Sequence, residues 1–313
     1  MKNLSSGRSL PWHRRPAFRT TNGEHFVDSI TTVVPVYNRF EYLNDCLESV
    51  FGQTRPPDEV LIVDDCSSTS VREYLATTPF ENRVRVVRTD RNRRVSSARN
   101  WGWKHAQGNL ITFIDSDDIW EPHKTEMQLR YLGENPAADG VYGAMTAFFP
   151  DGRTQPWSHD RPPTVTVENA LIDCNISVQT LMIRRAALER IDGFDEDFGI
   201  LDDQDVAIRL ALDEFRIDFM GHPAVARLRR NDSNYSRQAQ LYFREDLLIH
   251  RRYRALMDKM YGPGSSRVHL ARILVRYGRK VRLLGLPARV AARLLAWSAP
   301  RSRMPRPGQR RSS

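Results

Sequence analysis

Four short segments carry most of the constraint on this chain: ITTVVPV (30–36), EVLIVDD (59–65), RVRVVRT (83–89) and NLITFID (109–115). They are rich in β-branched and apolar residues and are separated by stretches with helical spacing. FEYLNDCLESVFG (40–52) puts Leu43, Leu47, Val50 and Phe51 on one helical face, and VSSARNWGWKHAQG (95–108) reads as a helix closed by Gly108. The Ser/Thr-rich turn after Asp65 offers a cap for a short helix near 71–76. Continuous apolar strands alternating with helices specify an α/β fold, a mostly parallel sheet covered on both faces.

Ligands of such sheets collect at the carboxyl ends of the strands. Pro35, Tyr37 and Asn38 follow the first strand, Asp64 and Asp65 end the second, and Asp115 and Asp117 end the fourth in FIDSDDIW (113–120). Carboxylates converging on one edge repel each other unless a cation or a hydrogen-bonding ligand sits among them. That edge therefore suits a divalent metal. Asp118 is expected to cap a helix starting near Pro122, and one of Asp64 and Asp65 to cap its own turn. A further acidic group, LDDQDVAIRL (201–210), opens an amphipathic helix. Three carboxylates in four positions are expected to raise at least one pKa, as a general base near neutral pH requires. Plain capping of the helix N-terminus is the competing role, and Asp202 is assigned to it.

Four blocks, TVVPVYNRFEYLNDCLESVFGQT, VLIVDDCSS, SSARNWGWKHAQGNLITFIDSDDIWEP and IDGFDEDFGILDDQDVAIRL, resemble in order and spacing a family 2 glycosyltransferase of the GT-A fold. The resemblance runs from about residue 30 to about residue 236. It implies a Rossmann-like sheet, a nucleotide-sugar donor, and Mg²⁺ or Mn²⁺ held by Asp117, with Asp115 on the ribose or the metal shell. It implies Asp65 as acceptor of a uracil N–H, with Pro35, Tyr37 and Asn38 around the base; Tyr37 as a core aromatic is the alternative. Arg99 is placed near the diphosphate or in a structural ion pair. Asp203 becomes the base that deprotonates an acceptor hydroxyl for inverting transfer, with Asp205 next in line. IDGFDE (191–196) is expected to wall the acceptor side.

The departures are specific. Arg94 stands where the family has glycine, so that loop is expected to be reshaped, and Asp192 replaces the first glycine of G-G-F-D-E. No histidine opens RRNDSNYS (229–236); Arg229 and Arg230 are instead candidates to neutralise the leaving diphosphate. Absence of a Q-x-x-R-W element points to one sugar per encounter. A nucleotidyltransferase would need a glycine-rich loop after the first strand, which PVYNRFEY lacks. A non-catalytic scaffold is argued against by Asp117 and Asp203.

Charge divides the chain. Residues 251–313 hold 17 Lys and Arg against one acid, Asp258, a net of +16, whereas 1–250 hold 30 bases and 37 acids. Leu270, Ile273, Leu274, Tyr277, Val281 and Leu284 share a helical face flanked by arginines. Such a helix either lies on an anionic membrane or docks on the catalytic domain. We therefore expect a disordered leader (1–28), the transferase domain (29–240), a basic helical extension (241–300) and a disordered basic tail (301–313). No apolar run nears the ~18–20 residues of a membrane span, and Cys46, Cys66 and Cys174 fit no metal or disulfide framework. The expected setting is cytoplasmic, with peripheral contact at the inner face of the plasma membrane, a glycan or lipid-linked acceptor, and no nucleic acid.

Overall fold

The structure, a computed structural model, describes residues 28–157, 161–173, 176–221, 223–229 and 235–277. The expected leader and the tail beyond Tyr277, with Val281 and Leu284, lie outside the described residues. The chain opens with β1 (Ile30–Val36), α1 (Leu43–Phe51), β2 (Glu59–Asp64), α2 (Val71–Leu75), β3 (Arg85–Arg88), α3 (Arg94–His105) and β4 (Leu110–Phe113). The anticipated alternation is present in full. Ser70 and Glu73 form a capping box at the start of α2. α3 stops at His105, ahead of Gly108. Gly108 is instead packed on the start of β1, where a Cβ would lie 2.5 Å from the Ser29 carbonyl oxygen.

The chain continues through β5 (Ile119–Trp120), α4 (Lys124–Glu134), β6 (Gly140–Tyr142), β7 (Met145–Phe148), β8 (Thr154–Trp157), α5 (Val167–Ile172) and β9 (Met182–Arg184). It ends with α6 (Arg185–Arg190), α7 (Asp202–Leu212), β10 (Ile217–Phe219), β11 (Ala226–Arg229), α8 (Tyr235–Tyr261) and α9 (Ser265–Tyr277). One sheet has seven strands in the order β10-β6-β9-β4-β1-β2-β3, and all its pairings are parallel except those of β9. A second, four-stranded sheet, β5-β11-β7-β8, stands beside the carboxyl edge of the first.

Register explains the site. Val36 lies opposite Asp64, Asp64 opposite Arg88, and Val33 opposite Phe113. Tyr37, Asp65 and Asp115 therefore leave the sheet along the same edge. The sheet interior is filled from both faces: Val33, Leu61, Val63 and Phe113 pack towards α3 and α7, and Val34, Ile62 and Ile114 towards α1.

The expected border at residue 240 falls inside α8, which is one continuous helix docked on the domain. Its Ile249, Tyr253, Met257 and Tyr261 belong to the main core. α9 packs back on α8, with Ile273 and Tyr277 buried against Tyr242, Phe243 and Leu247. Ile273 is thus a docking residue rather than a membrane-facing one. Leu270 and Leu274 are half-buried at the margin. Among the described residues no helix is long and apolar enough to cross a membrane.

Candidate active site

Three loops at the carboxyl edge are tied together by their own polar residues. Asn38 adopts a left-handed backbone (φ 53°), which brings its Oδ1 to the Ser68 amide (2.7 Å) and hydroxyl (2.9 Å). Asp64 is the capping member of the acidic pair: it accepts from the Ser67 and Val71 amides and ion-pairs with Arg88. Asp65 holds the loop after β3, accepting from the Arg93 and Arg94 amides (both 2.9 Å) and the Thr89 hydroxyl (3.0 Å). Three donors fill most of the roughly four lone-pair sites of a carboxylate. Arg94 has φ 72° and Asp192 φ 54°. Both positions where a glycine was expected are therefore left-handed, a conformation that costs a non-glycine residue roughly 1–2 kcal/mol. The chain keeps a glycine-type turn at each and changes only the side chain. Tyr37 is 49 % exposed, which removes the core-aromatic alternative.

Arg99 is buried between two carboxylates. It donates to Asp115 (Nη2–Oδ1 2.7 Å) and to Asp202 (Nη1–Oδ2 2.5 Å). Burial acts to lower its pKa, but Asp202 and then Asp115 override it and hold the guanidinium above its usual range. Arg99 is a structural bridge, the second of its two expected roles. Asp202 is likewise no cap of its own helix: it takes Arg99 and the Ser96 hydroxyl (3.0 Å) from α3. Gln179 donates to the other oxygen of Asp115 (2.7 Å), while its carbonyl receives the indole N–H of the buried Trp120. Sequence reasoning did not find Gln179; nothing in its local pattern marks it.

Asp117 differs from Asp115. Its described cationic partner is the half-exposed Arg39. Burial and then the like charge of Asp115 push its pKa up, more than Arg39 offsets. A carboxylate whose charge is disfavoured by burial and a like neighbour would be relieved by a divalent cation beside it. Among the described residues no three His, Cys, Asp or Glu side chains converge on a metal position. A hard cation here would take Asp117 plus oxygens of diphosphate and water, as Mg²⁺ commonly does. Asp118 does not cap the next helix; it accepts the Arg229 amide (2.9 Å) from β11. The Arg229 side chain reaches the Asp117 carbonyl (3.1 Å) and Asp45, and stacks 4.0 Å from the Tyr42 ring centre. It braces the acidic loop and lines neither of the two clefts of the site. Arg230 and Asn231 lie outside the described residues.

The carboxylates opening α7 diverge, and this relieves the crowding the sequence suggested. Asp202 turns to Arg99, whereas the buried Asp205 is enclosed by Arg209 (2.6 Å), Arg252 (3.0 Å) and the Tyr253 hydroxyl (2.8 Å). Asp205 is therefore sequestered from any acceptor. Asp203 is half-buried and faces the cleft. The turn ahead of it is held from α8: Glu245, itself buried, accepts the amides of Gly199 (2.9 Å), Ile200 (2.8 Å) and Leu201 (2.8 Å). IDGFDE does not wall the cleft. Phe194 is stacked edge-on against Phe113, and Asn100 binds both its amide and its carbonyl.

Two clefts result, meeting at Asp115 and Val95. One, of about 380 Å³, is lined by Pro35, Tyr37, Arg39, Asp65, Arg94 and Asp117 among others. The other, of about 470 Å³, holds Arg99, Gln179, Asp202 and Asp203 and is rimmed by Trp157 and Tyr242. Asn38 lines neither and acts through the loop it ties.

Comparison with known proteins decides the class. Residues 31–192, just over half the chain, match the description of glycosyl transferase family 2. The chain belongs to that family. The relatives include TuaG of Bacillus subtilis (33 % identity over 157 residues, 50 % of this chain and 62 % of TuaG), whose name assigns it to teichuronic acid biosynthesis. They also include WfgD of Escherichia coli (28 % over 159 residues, 51 % of this chain and 61 % of WfgD), named as a UDP-Glc:α-D-GlcNAc-diphosphoundecaprenol β-1,3-glucosyltransferase. The chain spans about three-fifths of the length of each. S. aureus TarS 1–349 in complex with UDP-GlcNAc superposes with TM-score 0.64 at 23 % identity, covering 84 % of this chain and 79 % of that one. This likeness establishes the GT-A fold.

Proposed function

We propose that this family 2 protein transfers a sugar, with inversion, from a UDP-sugar to a hydroxyl of a glycan or lipid-linked acceptor. The observation that carries the reading is the junction of the two clefts at Asp115. A nucleotide seated by Tyr37 and Asp65 has its diphosphate end at Asp115 and Asp117, and its sugar directed into the cleft that holds Asp203. WfgD and the UDP-GlcNAc complex of TarS support the donor class. Mg²⁺ or Mn²⁺ on Asp117 would neutralise charge building on the diphosphate. Asp203 takes the proton of the acceptor hydroxyl as its oxygen attacks the anomeric carbon. Arg99 keeps Asp115 and the first turn of α7 in register, so donor and base share one rigid frame. Intact carboxylates at both places favour an enzyme over a scaffold.

The setting we propose is cytoplasmic, serving cell-envelope polysaccharide. The net +16 segment would give peripheral contact with anionic lipid, at about 1 kcal/mol per basic residue close to the surface. The deciding experiment is thermal melting with UDP-sugars and Mn²⁺, because a ligand that binds the folded state alone raises the melting temperature. Stabilisation by UDP-sugar that needs Mn²⁺ and disappears in Asp117→Ala is expected. EDTA-insensitive stabilisation of that variant would overturn the metal assignment.

A further inference from the structure

Four large apolar side chains stand exposed among the described residues: Tyr37, Trp157, Leu212 and Val275. The two aromatic ones each line one of the two clefts. Tyr37 falls to the nucleotide. Trp157 has no assigned role, and its position is specific. It ends β8, the edge strand of the second sheet, whose four residues are all exposed. Its register partner Met145 is buried, whereas Trp157 is 38 % exposed at the rim of the Asp203 cleft. Pro156, just before it, fixes the backbone and is tolerated because the strand is at an edge. The exposed part of the indole offers a ligand in the cleft a flat apolar face.

The charges around that face select the ligand. Among the described residues lining the cleft, the acids are Asp115, Asp173, Asp202 and Asp203, and the bases are Arg99 and Arg161. Both arginines are already paired, Arg99 with Asp115 and Asp202, and Arg161 with Asp173 (3.2 Å). An anionic group would enter a net negative cleft whose two guanidinium groups are each already held in an ion pair. Hydroxyl groups, in contrast, can donate to the carboxylates while the C–H face of a ring covers the indole.

We propose that Trp157 is the platform of an acceptor subsite for a neutral saccharide ring, and that any phosphate of the acceptor lies outside this cleft. The proposal deepens the reading above and rests on Asp203 facing the acceptor. The test is saturation-transfer difference NMR on the full chain with UDP and Mn²⁺, using methyl β-D-glucopyranoside as the probe and glycerol 3-phosphate as competitor. Saturation of the sugar's C–H protons is expected in the wild type and in Trp157→Phe, falling at least about fivefold in Trp157→Ala. Stabilisation by UDP and Mn²⁺ should be equal in all three, which separates this proposal from the donor assignment and reports folding. Undiminished saturation in Trp157→Ala, no saturation in the wild type, or displacement of the sugar by glycerol 3-phosphate would each overturn it.

Discussion

Glu245 lies far from the motifs of the family, yet it anchors the turn that leads into Asp203. Its carboxylate receives three consecutive amides, those of Gly199, Ile200 and Leu201, immediately before the helix that bears Asp203. Glu245→Ala leaves those half-buried donors without that acceptor and removes an anion from a helix N-terminus. A net hydrogen bond to a charged group contributes about 1.5–3 kcal/mol, and loss of a cap costs about 1 kcal/mol. The three bonds share one carboxylate and are not additive, so about 3 kcal/mol is the reasonable total. At roughly 2–4 °C per kcal/mol for a domain of this size, melting should fall by about 6–12 °C. Glu245→Gln keeps one oxygen acceptor but turns an NH₂ group towards amides, and should lie between the two. Because the turn also carries Asp203, kcat should fall while KM for the donor changes little. Differential scanning fluorimetry, steady-state kinetics and amide exchange over 199–201 read these effects separately. A Glu245→Ala protein melting within about 1 °C of wild type, with those amides equally protected, would refute the reasoning.

Two further expectations follow from the fold. Gly193→Ala should destabilise by about 2–4 kcal/mol, since φ is 67° and a Cβ would sit 2.4 Å from Asn100 Oδ1 and from Trp103 Nε1; thermal melting measures it. His269 of α9 stacks on His250 of α8 (Nδ1–Nδ1 3.5 Å). Burial first, then His250, Arg272 and Arg276, push its pKa down to about 3. A folded pKa below the unfolded value of about 6.5 means that its contribution is complete above pH ~6.5 and declines as pH falls towards 3, by about 1.4 kcal/mol per pH unit. Melting followed from pH 7 to 4 should show this slope, and His269→Gln should flatten it.

Much of the architecture was legible because its determinants are local. Strand runs, helical faces, the Ser70 cap and the edge position of Asp65, Asp115 and Asp117 all follow from patterns a few residues long. The misplaced roles are those decided by distant partners. Asp118 and Asp202 look like caps in isolation, but Asp118 meets the Arg229 amide 111 residues away and Asp202 meets Arg99 103 residues away. Gln179 and Glu245 act across 64 and 46 residues on Asp115 and the α7 turn, and neither sits in a motif. The antiparallel β9 and the second sheet are built from strands of two to four residues, too short to carry a period. The periodicity of the tail leaves lipid and docking on the domain as alternatives; its first turns bury Ile273 and Tyr277 on α8, a partner that periodicity alone cannot name.

The most direct measurement of the central claim is Asp203→Asn assayed for both donor binding and turnover. Asparagine keeps the shape and the hydrogen bonding but cannot accept the acceptor's proton. Affinity for UDP-sugar with Mn²⁺ is expected to stay within about twofold of wild type, because Asp203 lies in the cleft beyond Asp115. Sugar transfer is expected to fall by about 10²–10⁴-fold. Near-wild-type transfer by Asp203→Asn would contradict the account, and with Asp205 enclosed by Arg209, Arg252 and Tyr253, the base would have to be sought outside α7.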